Sequence, residues 1–350
     1  MAEKSAYTAN IEAVIGHSLV GSILGISYEL GILQALIDAP EPVTSQQVAD
    51  AKNLKERYVR ESLNCLACAQ IVEVNRDGGG TVRYHVTQEQ GAVLTGPSTQ
   101  MIGMIAATSA RFVDMMDRFR ADGPYDYPMA DALVTAAIDR VGLCKLGTEV
   151  ETVLSNIPGI RERLESGINV IELGSGQGRL ICTLAEKFPK SRFTGSEYTD
   201  SGVQFLQNKK TELKLDNIEM KKLDLLNVAD DYVGKFDFAV INDVIHDLPD
   251  SLTGLKGCRK VLKTGSYFAF MEIDGTGDVV ADKSNSHSAV LYSLSTLLCV
   301  AQAYHNADAH VYGACWGRSE AARLAKEAGF KVLSQHGHSG CFVLHACQAV

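Results

Sequence analysis

A glycine-rich turn that directly follows an apolar run is the first feature of this sequence that could do chemistry. The run covers residues 169–173, and glycines stand at positions 174, 176 and 178. Glycine permits a sharp turn and lets a ligand approach the backbone closely. A helix is predicted from Arg179 to about Phe188, and the free amide groups at its start would face that ligand. The pattern therefore predicts a strand, a tight turn and a helix start that binds a ligand.

Two acidic residues narrow the class of ligand. Glu172 lies two residues before the first glycine, where its carboxylate would repel a pyrophosphate but attract an amino group. Glu197 ends a second strand-like run, and a carboxylate suits a pair of ribose hydroxyls because each oxygen can accept one O–H donor. Arg179 stands where a dinucleotide-binding fingerprint needs glycine, so NAD fits poorly. These residues indicate S-adenosylmethionine, and a tight turn without a ligand is the alternative.

Four segments resemble the successive cofactor motifs of class I S-adenosylmethionine-dependent methyltransferases, namely residues 172–178, Glu197, 222–225 and 242–247. The resemblance implies that the glycine loop holds the methionine portion and that Glu197 holds the ribose. It also implies that Asp224 contacts the adenine amino group, although a solvated loop residue is the alternative, and that Leu225 packs on the ring. The cofactor-binding residues predicted in this way are Glu172, Gly174, Ser175, Gly176, Gly178, Glu197, Tyr198, Asp224, Leu225 and Asn242.

A histidine and one acid, His246 and Glu272, are the candidate catalytic residues. His246 and Asp247 resemble the His-Asp that follows the fourth strand in winged-helix small-molecule O-methyltransferases, where the histidine is the general base. Glu272 matches the acid that orients this histidine after the next strand. Such a base contributes a factor of about 10² to 10⁴ in rate. A second acid of those enzymes is not matched, since residues 315–317 are Cys-Trp-Gly, so a role of His246 beside the cofactor remains open.

The elements that must position these residues alternate between strands and helices from about residue 148. This alternation predicts an α/β fold with a Rossmann-like, mostly parallel sheet of seven strands. Only about five residues join the last two strands, so these should form an antiparallel hairpin. The predicted strands are residues 169–173, 192–197, 218–222, 236–241, 267–273, 331–335 and 341–346.

The N-terminal part predicts a winged helix. Residues 11–38 read as one or two apolar helices, and Thr44 with Gln47 forms a capping-box pattern that opens a further helix. A longer helix is predicted over residues 54–69, with Tyr58, Leu63, Leu66 and Ala69 facing inward. Residues 71–74 and 82–86 flank a glycine-rich tip and read as a hairpin.

The whole chain is similar to a sparsely characterised family that joins such a winged helix to a class I methyltransferase domain. The segments that carry this similarity are residues 54–61, 244–247, 291–296, 316–317 and 327–330. The sequence departs from the family at residues 336–342, so the family implies the fold and the cofactor but not the substrate. The predicted domains are a winged-helix and dimerisation domain over 1–96, a helical bridge over 97–147, and a methyltransferase domain over 148–350.

Charge and cysteine content exclude several classes of partner. Residues 1–150 carry 12 Lys and Arg against 18 Asp and Glu, whereas phosphate binding needs a positive face. Nucleic acid is therefore not expected, and dimerisation is the expected role of the N-terminal domain. With no continuous run of 18 apolar residues and no signal peptide, neither a membrane nor export is expected. The nine cysteines then read as reduced thiols of a cytoplasmic protein, and no metal site is predicted.

The sequence thus predicts an S-adenosylmethionine-dependent methyltransferase that acts on a small molecule, with oxygen as the first choice of acceptor atom. Asp247, Tyr292 and Trp316 are the candidates for the substrate pocket, and core packing is the alternative for the aromatic residues. Transfer to sulfur or nitrogen is the second possibility. A third is a cofactor-binding regulator whose winged helix contacts DNA, and a protein or RNA methyltransferase would need an open or basic rim that the composition does not indicate.

Overall fold

The structure is a computed structural model that describes residues 5–96, 99–125, 132–285 and 287–350. It contains two compact units. One comprises Met1–Asp114 and Met129–Cys144, and the other comprises Met115–Pro128 and Lys145–Val350. The predicted helical bridge over 97–147 includes residues 97–98 and 126–131, which lie outside the described residues, and the predicted domain boundaries stay a prediction.

The first unit is helical with one small hairpin. Its strands pair antiparallel from Glu73 opposite His85 to Arg76 opposite Val82. The helices α7 and α8 continue into the second unit. The elements are α1 Ala6–Glu29, α2 Ile32–Asp38, α3 Ser45–Lys52, α4 Glu56–Cys68, β1 Glu73–Arg76, β2 Val82–His85, α5 Gln88–Thr95, α6 Ile102–Ala110, α7 Phe112–Arg118 and α8 Ala132–Asn156.

Local sequence signals account for most of this unit. The capping box at the start of α3 is confirmed, since Thr44 accepts from the Gln47 amide while Gln47 reaches back to the Thr44 amide. The prediction that Tyr58 faces inward is wrong, because its side chain is 74% exposed. Neighbouring helix residues differ by about 100° in direction. Burial of Leu63 therefore selects Val59, one turn earlier, as the inward residue.

Helix α1 leaves apolar side chains uncovered within its own unit. By length and composition, Ala6–Glu29 meets the criterion for a helix that could cross a membrane, a criterion that buried core helices and signal sequences also meet. An apolar helix surface of this kind needs a cover, because exposed apolar area costs free energy in water. The exposed apolar residues are Tyr7, Ile11, Val14, Ile15, Leu19 and Ile26.

The described residues of the second unit form a seven-stranded sheet in the order β5-β4-β3-β6-β7-β9-β8. Five of its strands pair in parallel, and β9 runs antiparallel to both of its neighbours. The predicted sheet and its C-terminal hairpin are therefore confirmed. The strands are β3 Asn169–Leu173, β4 Arg192–Glu197, β5 Ile218–Lys222, β6 Phe236–Asn242, β7 Leu262–Ile273, β8 Phe330–His338 and β9 Phe342–Ala349.

Helices cover the sheet, and an apolar cluster lies on each face of it. The chain order reverses on either side of β3, which makes its carboxyl end the point where ligands of such sheets bind. The helices after α8 are α9 Ile160–Ser166, α10 Arg179–Lys187, α11 Asp200–Leu213, α12 Ser251–Val261, α13 Val279–Asp282, α14 Ser288–Leu294, α15 Val300–Ala303 and α16 Arg318–Glu327. A π-helical turn, Ser295–Cys299, joins α14 to α15.

Candidate active site

The glycine turn lies where β3 ends, and all three of its glycines adopt left-handed backbone angles. Their φ values are 64° at Gly174, 53° at Gly176 and 69° at Gly178. A Cβ on Gly174 would come within 2.9 Å of Val244, so this position also needs glycine for space. The Cβ position of Gly176 meets no atom within 4 Å, which leaves open space on that side of the loop.

Hydrogen bonds tie the turn to the neighbouring strand. The Ser175 amide donates to the Ser196 carbonyl at 2.8 Å, and the Ser196 amide donates to Ser175 Oγ at 3.0 Å. The Ser196 hydroxyl donates to the Glu172 carbonyl at 2.9 Å. The carboxyl ends of β3 and β4 are thereby fixed side by side, with Glu172 on one strand and Glu197 on the other.

Glu172 is a buried acid at the base of this turn. Its side chain accepts from the Ile181 amide at 3.2 Å, near the start of α10, and the residue is only 3% exposed. Burial raises the pKa of this carboxyl to about 8, although the Ile181 amide opposes the shift, and the charge of Glu149 adds to it. A carboxylate held in this way binds a cation favourably, because a positive charge relieves the cost of burial.

Glu197 lies at the tip of β4 and accepts from the Gly176 amide at 2.5 Å and from the Tyr198 amide at 3.2 Å. Burial raises the pKa of its carboxyl, and these two amides oppose the shift. The predicted diol-binding acid is therefore beside the glycine loop, whereas the Tyr198 side chain is exposed.

The predicted adenine-binding residues follow β5. Asp224 accepts from the Leu226 amide at 2.9 Å, a bond that shapes the loop, and it is half-buried. Leu225 is buried in the apolar cluster on the α12 side of the sheet. A Cβ added to Gly257 of α12 would come within 2.1 Å of the Leu225 carbonyl oxygen. The loop and the helix therefore pack backbone to backbone.

Asn242, at the end of β6, leads to an acid that sequence reasoning missed. Its side-chain amide donates to Glu149 Oε1 at 3.1 Å, and Lys145 lies 3.2 Å from the same oxygen. Glu149 is 3% exposed, and its charge contributes to the raised pKa of Glu172. Asn242 Oδ1 is buried with no hydrogen-bond partner among the described residues. Glu149 therefore lies near enough to Glu172 for its charge to act there, and Asn242 Oδ1 leaves an acceptor free beside Glu149.

The predicted pair of His246 and Glu272 is formed. His246 lies in a short helical turn after β6, Glu272 lies near the end of β7, and both side chains are fully buried. His246 Nδ1 hydrogen-bonds to one carboxylate oxygen of Glu272, and the other oxygen accepts from the Ile245 amide at 3.0 Å. Glu272 thereby fixes the ring, and Nε2 lies on the buried side of the ring away from Glu272, which we call its outward side.

The surroundings of Nε2 are acidic. Asp247 Oδ1 lies 3.1 Å from it and Asp243 Oδ1 lies 3.9 Å from it, and the Cys299 thiol is also close. Burial lowers the pKa of His246, but the charges of Asp247 and Glu272 outweigh this and raise it well above the ordinary value. A base must be neutral before it takes a proton. These two acids favour the protonated ring, so they oppose a base role of His246.

The aromatic candidates for the substrate pocket make contacts of their own. The Tyr292 hydroxyl donates to the buried Asp282 at 2.9 Å. Burial, and secondly this bond to Asp282, raises the pKa of Tyr292 to about 12. Trp316 is buried against Phe270 and Tyr312, with Nε1 lacking a partner among the described residues. Assignment of Asp247, Tyr292 and Trp316 to a substrate pocket stays a prediction.

These residues fit the predicted cofactor. S-adenosylmethionine carries a positively charged sulfur, an amino group and a ribose diol. Glu172 and Glu149 offer buried carboxylates for the amino group, and Asn242 Oδ1 offers an unsatisfied acceptor. Glu197 offers two carboxylate oxygens for the diol, and the positive φ of Gly176 leaves room against the backbone.

Comparisons with known proteins agree with the predicted layout. Residues 164–329 match the model of a methyltransferase domain, and residues 18–96 match the model of an Rv2258c-like winged HTH domain. A tRNA (guanine-N(7)-)-methyltransferase of Lactobacillus gasseri is 39% identical over 59 residues, which is 17% of this chain and 27% of that protein. The chain thus spans about a quarter of the length of that curated relative.

Solved structures are similar over nearly the whole chain. Human N-acetylserotonin methyltransferase in complex with SAM has a TM-score of 0.71 at 14% identity, covering 100% of this chain and 99% of that one. Mitomycin 7-O-methyltransferase has a TM-score of 0.72 at 17% identity, covering 99% and 98%. The N,N-8-amino-8-demethyl-D-riboflavin dimethyltransferase of Streptomyces davawensis has a TM-score of 0.58 at 14% identity, covering 99% and 100%. At these identities the likeness shows the fold, and that fold serves both oxygen and nitrogen acceptors.

Proposed function

We propose that this chain, an S-adenosylmethionine-dependent methyltransferase with an Rv2258c-like winged-helix domain, transfers the methyl group to an oxygen of a small molecule. The observation that carries the choice of oxygen is the buried pair of His246 and Glu272. A hydroxyl is a weak nucleophile at neutral pH and gains from a base, whereas transfer to a neutral amine needs mainly positioning.

The cofactor site would be formed by α8, by the carboxyl ends of β3 and β4, and by the segment after β6. Glu172 and Glu149 would hold the amino group, the backbone of the glycine loop would hold the methionine portion, and Glu197 would hold the ribose. When bound, S-adenosylmethionine supplies a methyl group on a positively charged sulfur. The chain's own contribution is positioning, since transfer needs the acceptor atom about 3–3.5 Å from the methyl carbon and in line with it.

His246 would take the proton of the acceptor hydroxyl at Nε2. Its Nδ1 hydrogen bond to Glu272 holds the tautomer in which Nε2 carries a lone pair, and the carboxylate stabilises the imidazolium that forms. Glu272 is itself held by the Ile245 amide, so the ring has a fixed direction before substrate arrives.

The test compares His246→Ala and Glu272→Gln with the wild type, in a metal-chelating buffer. Binding of S-adenosylmethionine is measured by calorimetry, and transfer is measured by a mass-based screen of methylated metabolites. We expect unchanged cofactor affinity and a turnover lower by a factor of about 10² to 10⁴ for His246→Ala. His336→Ala, a histidine of the β8–β9 hairpin, serves as the control and should retain full activity.

Full turnover of His246→Ala, or a loss confined to cofactor binding, would remove the base role. Methylated thiols or amines as the products that the screen detects would favour the second choice of acceptor. Failure of the folded wild type to bind S-adenosylmethionine would defeat the central claim.

We also infer a homodimer formed through α1. The exposed apolar residues Ile11, Ile15 and Leu19 recur at intervals of four and so share one helix surface. A second copy of the same helix is a self-complementary cover for such a surface. Light scattering should give a dimer for the wild type and a monomer for Ile15→Glu combined with Leu19→Glu. A wild-type monomer that instead sediments with lipid vesicles would show that a membrane covers the helix.

The cytoplasm is the location that fits the cysteines best, since all nine are free thiols and disulfides persist in oxidising compartments. The DNA-binding regulator is disfavoured by α4, where Arg57 pairs with Glu61 and Arg60 pairs with Glu56 within the helix. Absence of a mobility shift with duplex DNA at low salt would remove that possibility.

A further inference from the structure

Three electron-rich atoms meet on the outward side of His246. They are Nε2 of the histidine, Oδ1 of Asp247 and Sγ of Cys299, and all lie within 4.8 Å of one another. Oδ1 of Asp243 lies 3.9 Å from the same nitrogen. Nitrogen, carboxylate oxygen and sulfur in one small space are the donor set of a tetrahedral zinc site.

His246 Nε2 and Asp247 Oδ1 form a close contact. The two atoms lie 3.1 Å apart, yet Asp247 Oδ1 is buried with no hydrogen-bond partner among the described residues. Asp243 Oδ1 is in the same condition. When Nε2 is deprotonated, its lone pair faces a lone pair of Asp247 Oδ1 at short range. A cation placed between Nε2 and Asp247 Oδ1 would satisfy both atoms.

The backbone brings the donors together at two irregular points. Asp243 adopts a left-handed conformation with φ of 60°, and Cys299 ends the π-helical turn that interrupts the helix after α14. Single π-helical turns inside α-helices often mark functional sites. The sequence predicted no metal site because Cys299 lies far along the chain from His246 and Asp247.

The hydrogen bond behind the histidine matches a metal-binding arrangement. A histidine that ligates zinc through one nitrogen commonly donates from the other to a carboxylate, which fixes the tautomer and strengthens the ligand. His246 makes this bond to the fully buried Glu272. The same bond would also orient a general base, so it supports both roles equally. The two roles compete because each needs the lone pair on Nε2.

We propose that His246, Asp247 and Cys299 bind a zinc ion. Occupation takes the Nε2 lone pair and so removes the base. Zinc would thus be a reversible inhibitor whose site lies within the catalytic centre, and this second part rests on the proposed function. Binding releases the Cys299 proton to solvent, because the thiolate is the ligand.

The binding test needs no activity. Chelator-treated protein is titrated with zinc against a chromophoric chelator, metal content is measured after dialysis, and cobalt is used to reveal thiolate ligation by its absorption. We expect one equivalent in the wild type. Cys299→Ala and Asp247→Asn should lose high-affinity binding and the cobalt–thiolate band. Glu272→Gln should weaken binding by a factor of about 10 to 100.

Cys347→Ala is the matched control, since it removes a buried cysteine from β9 and should bind zinc like the wild type. Absence of binding by the folded wild type, or equal binding by Cys299→Ala and Asp247→Asn, would overturn the site. Neither result touches methyl transfer by the metal-free protein, so the two proposals fail separately. Higher turnover of the zinc-loaded protein than of the metal-free protein would overturn the inhibitory role.

Discussion

Replacement of Glu172 by glutamine should make the cofactor-free protein more stable and the cofactor site weaker. The carboxyl is 3% exposed, and burial is the largest cause that raises its pKa from 4.5 to about 8. Between these two values the folded protein holds a proton that the unfolded chain has lost. Stability therefore falls as the pH rises from about 4.5 to about 8, and it is level on either side.

The size of the effect follows from the same shift. One pKa unit corresponds to about 1.4 kcal/mol, so ionisation of Glu172 in the unfolded chain costs the wild type about 3 kcal/mol of stability at pH 7. Glutamine does not titrate, and its carbonyl oxygen can still accept from the Ile181 amide. Its new N–H donors reduce the gain by about 1 kcal/mol if they stay unpaired. We expect Glu172→Gln to be about 2 kcal/mol more stable than the wild type at pH 7 and about 0.5 kcal/mol less stable at pH 4.5.

The assay is urea unfolding of the cofactor-free protein at a series of pH values, with Glu186→Gln as the control. Glu186 is an exposed acid of α10, and its replacement should leave the curve unchanged. Loss of a charge-assisted hydrogen bond to the cofactor should weaken S-adenosylmethionine binding roughly ten- to a hundredfold in Glu172→Gln. A stability gap that does not widen with pH, or a glutamine variant that is less stable at pH 8, would refute the reasoning.

Two further replacements test packing and the cofactor pocket. Gly257→Ala should cost about 1–3 kcal/mol in urea unfolding, because its Cβ would lie 2.1 Å from the Leu225 carbonyl oxygen, and no change would contradict the packing. Gly147→Ala is its control, since a Cβ there meets nothing within 4 Å and should stabilise α8 by about 0.5–1 kcal/mol. Glu149→Gln should weaken S-adenosylmethionine binding roughly tenfold in calorimetry, as a charge-assisted contact becomes a neutral one. Glu151→Gln, an exposed acid of the same helix, should bind normally, and equal affinity in both variants would remove Glu149 from the cofactor site.

Local patterns predicted the cofactor end of the fold well. The strands Asn169–Leu173 and Arg192–Glu197 match the predicted bounds to the residue. Both are short apolar runs with a clear end. The first stops before Gly174, which must take a positive φ, and the second ends at the acid Glu197. The ends of β7, β8 and β9 were less well predicted, because pairing between strands decides how far each one extends.

Helix facing was harder to predict than helix position. The pattern over residues 54–69 located α4 but assigned Tyr58 to the inward face, where the fold has Val59. Tyrosine has a large apolar ring that can pack equally well on an outer surface, so its presence does not fix the phase of a helix. Leu63 and Leu66 do fix it, because each is wholly apolar and both are completely buried.

Glu149 shows what sequence patterns miss. A lysine four residues before a glutamate on a helix reads as a solvated ion pair, which is worth little. In the fold both Lys145 and Glu149 are largely covered, and Asn242 reaches Glu149 from the sheet. The charge of that acid then acts on Glu172, a residue of another element. Only the three-dimensional arrangement brings this helix pair next to Asn242 and Glu172.

The residues around Nε2 of His246 were likewise not predictable from sequence patterns, and they decide whether the histidine serves as a general base or as a metal ligand. Glu272 alone would make the histidine a base, as the sequence indicates. Asp247 at 3.1 Å, together with Asp243 and Cys299, adds donors that a base does not need. A base that receives a proton and a ligand that receives zinc require the same lone pair on Nε2. Zinc and the acceptor substrate should therefore inhibit each other's binding competitively if both approach that nitrogen.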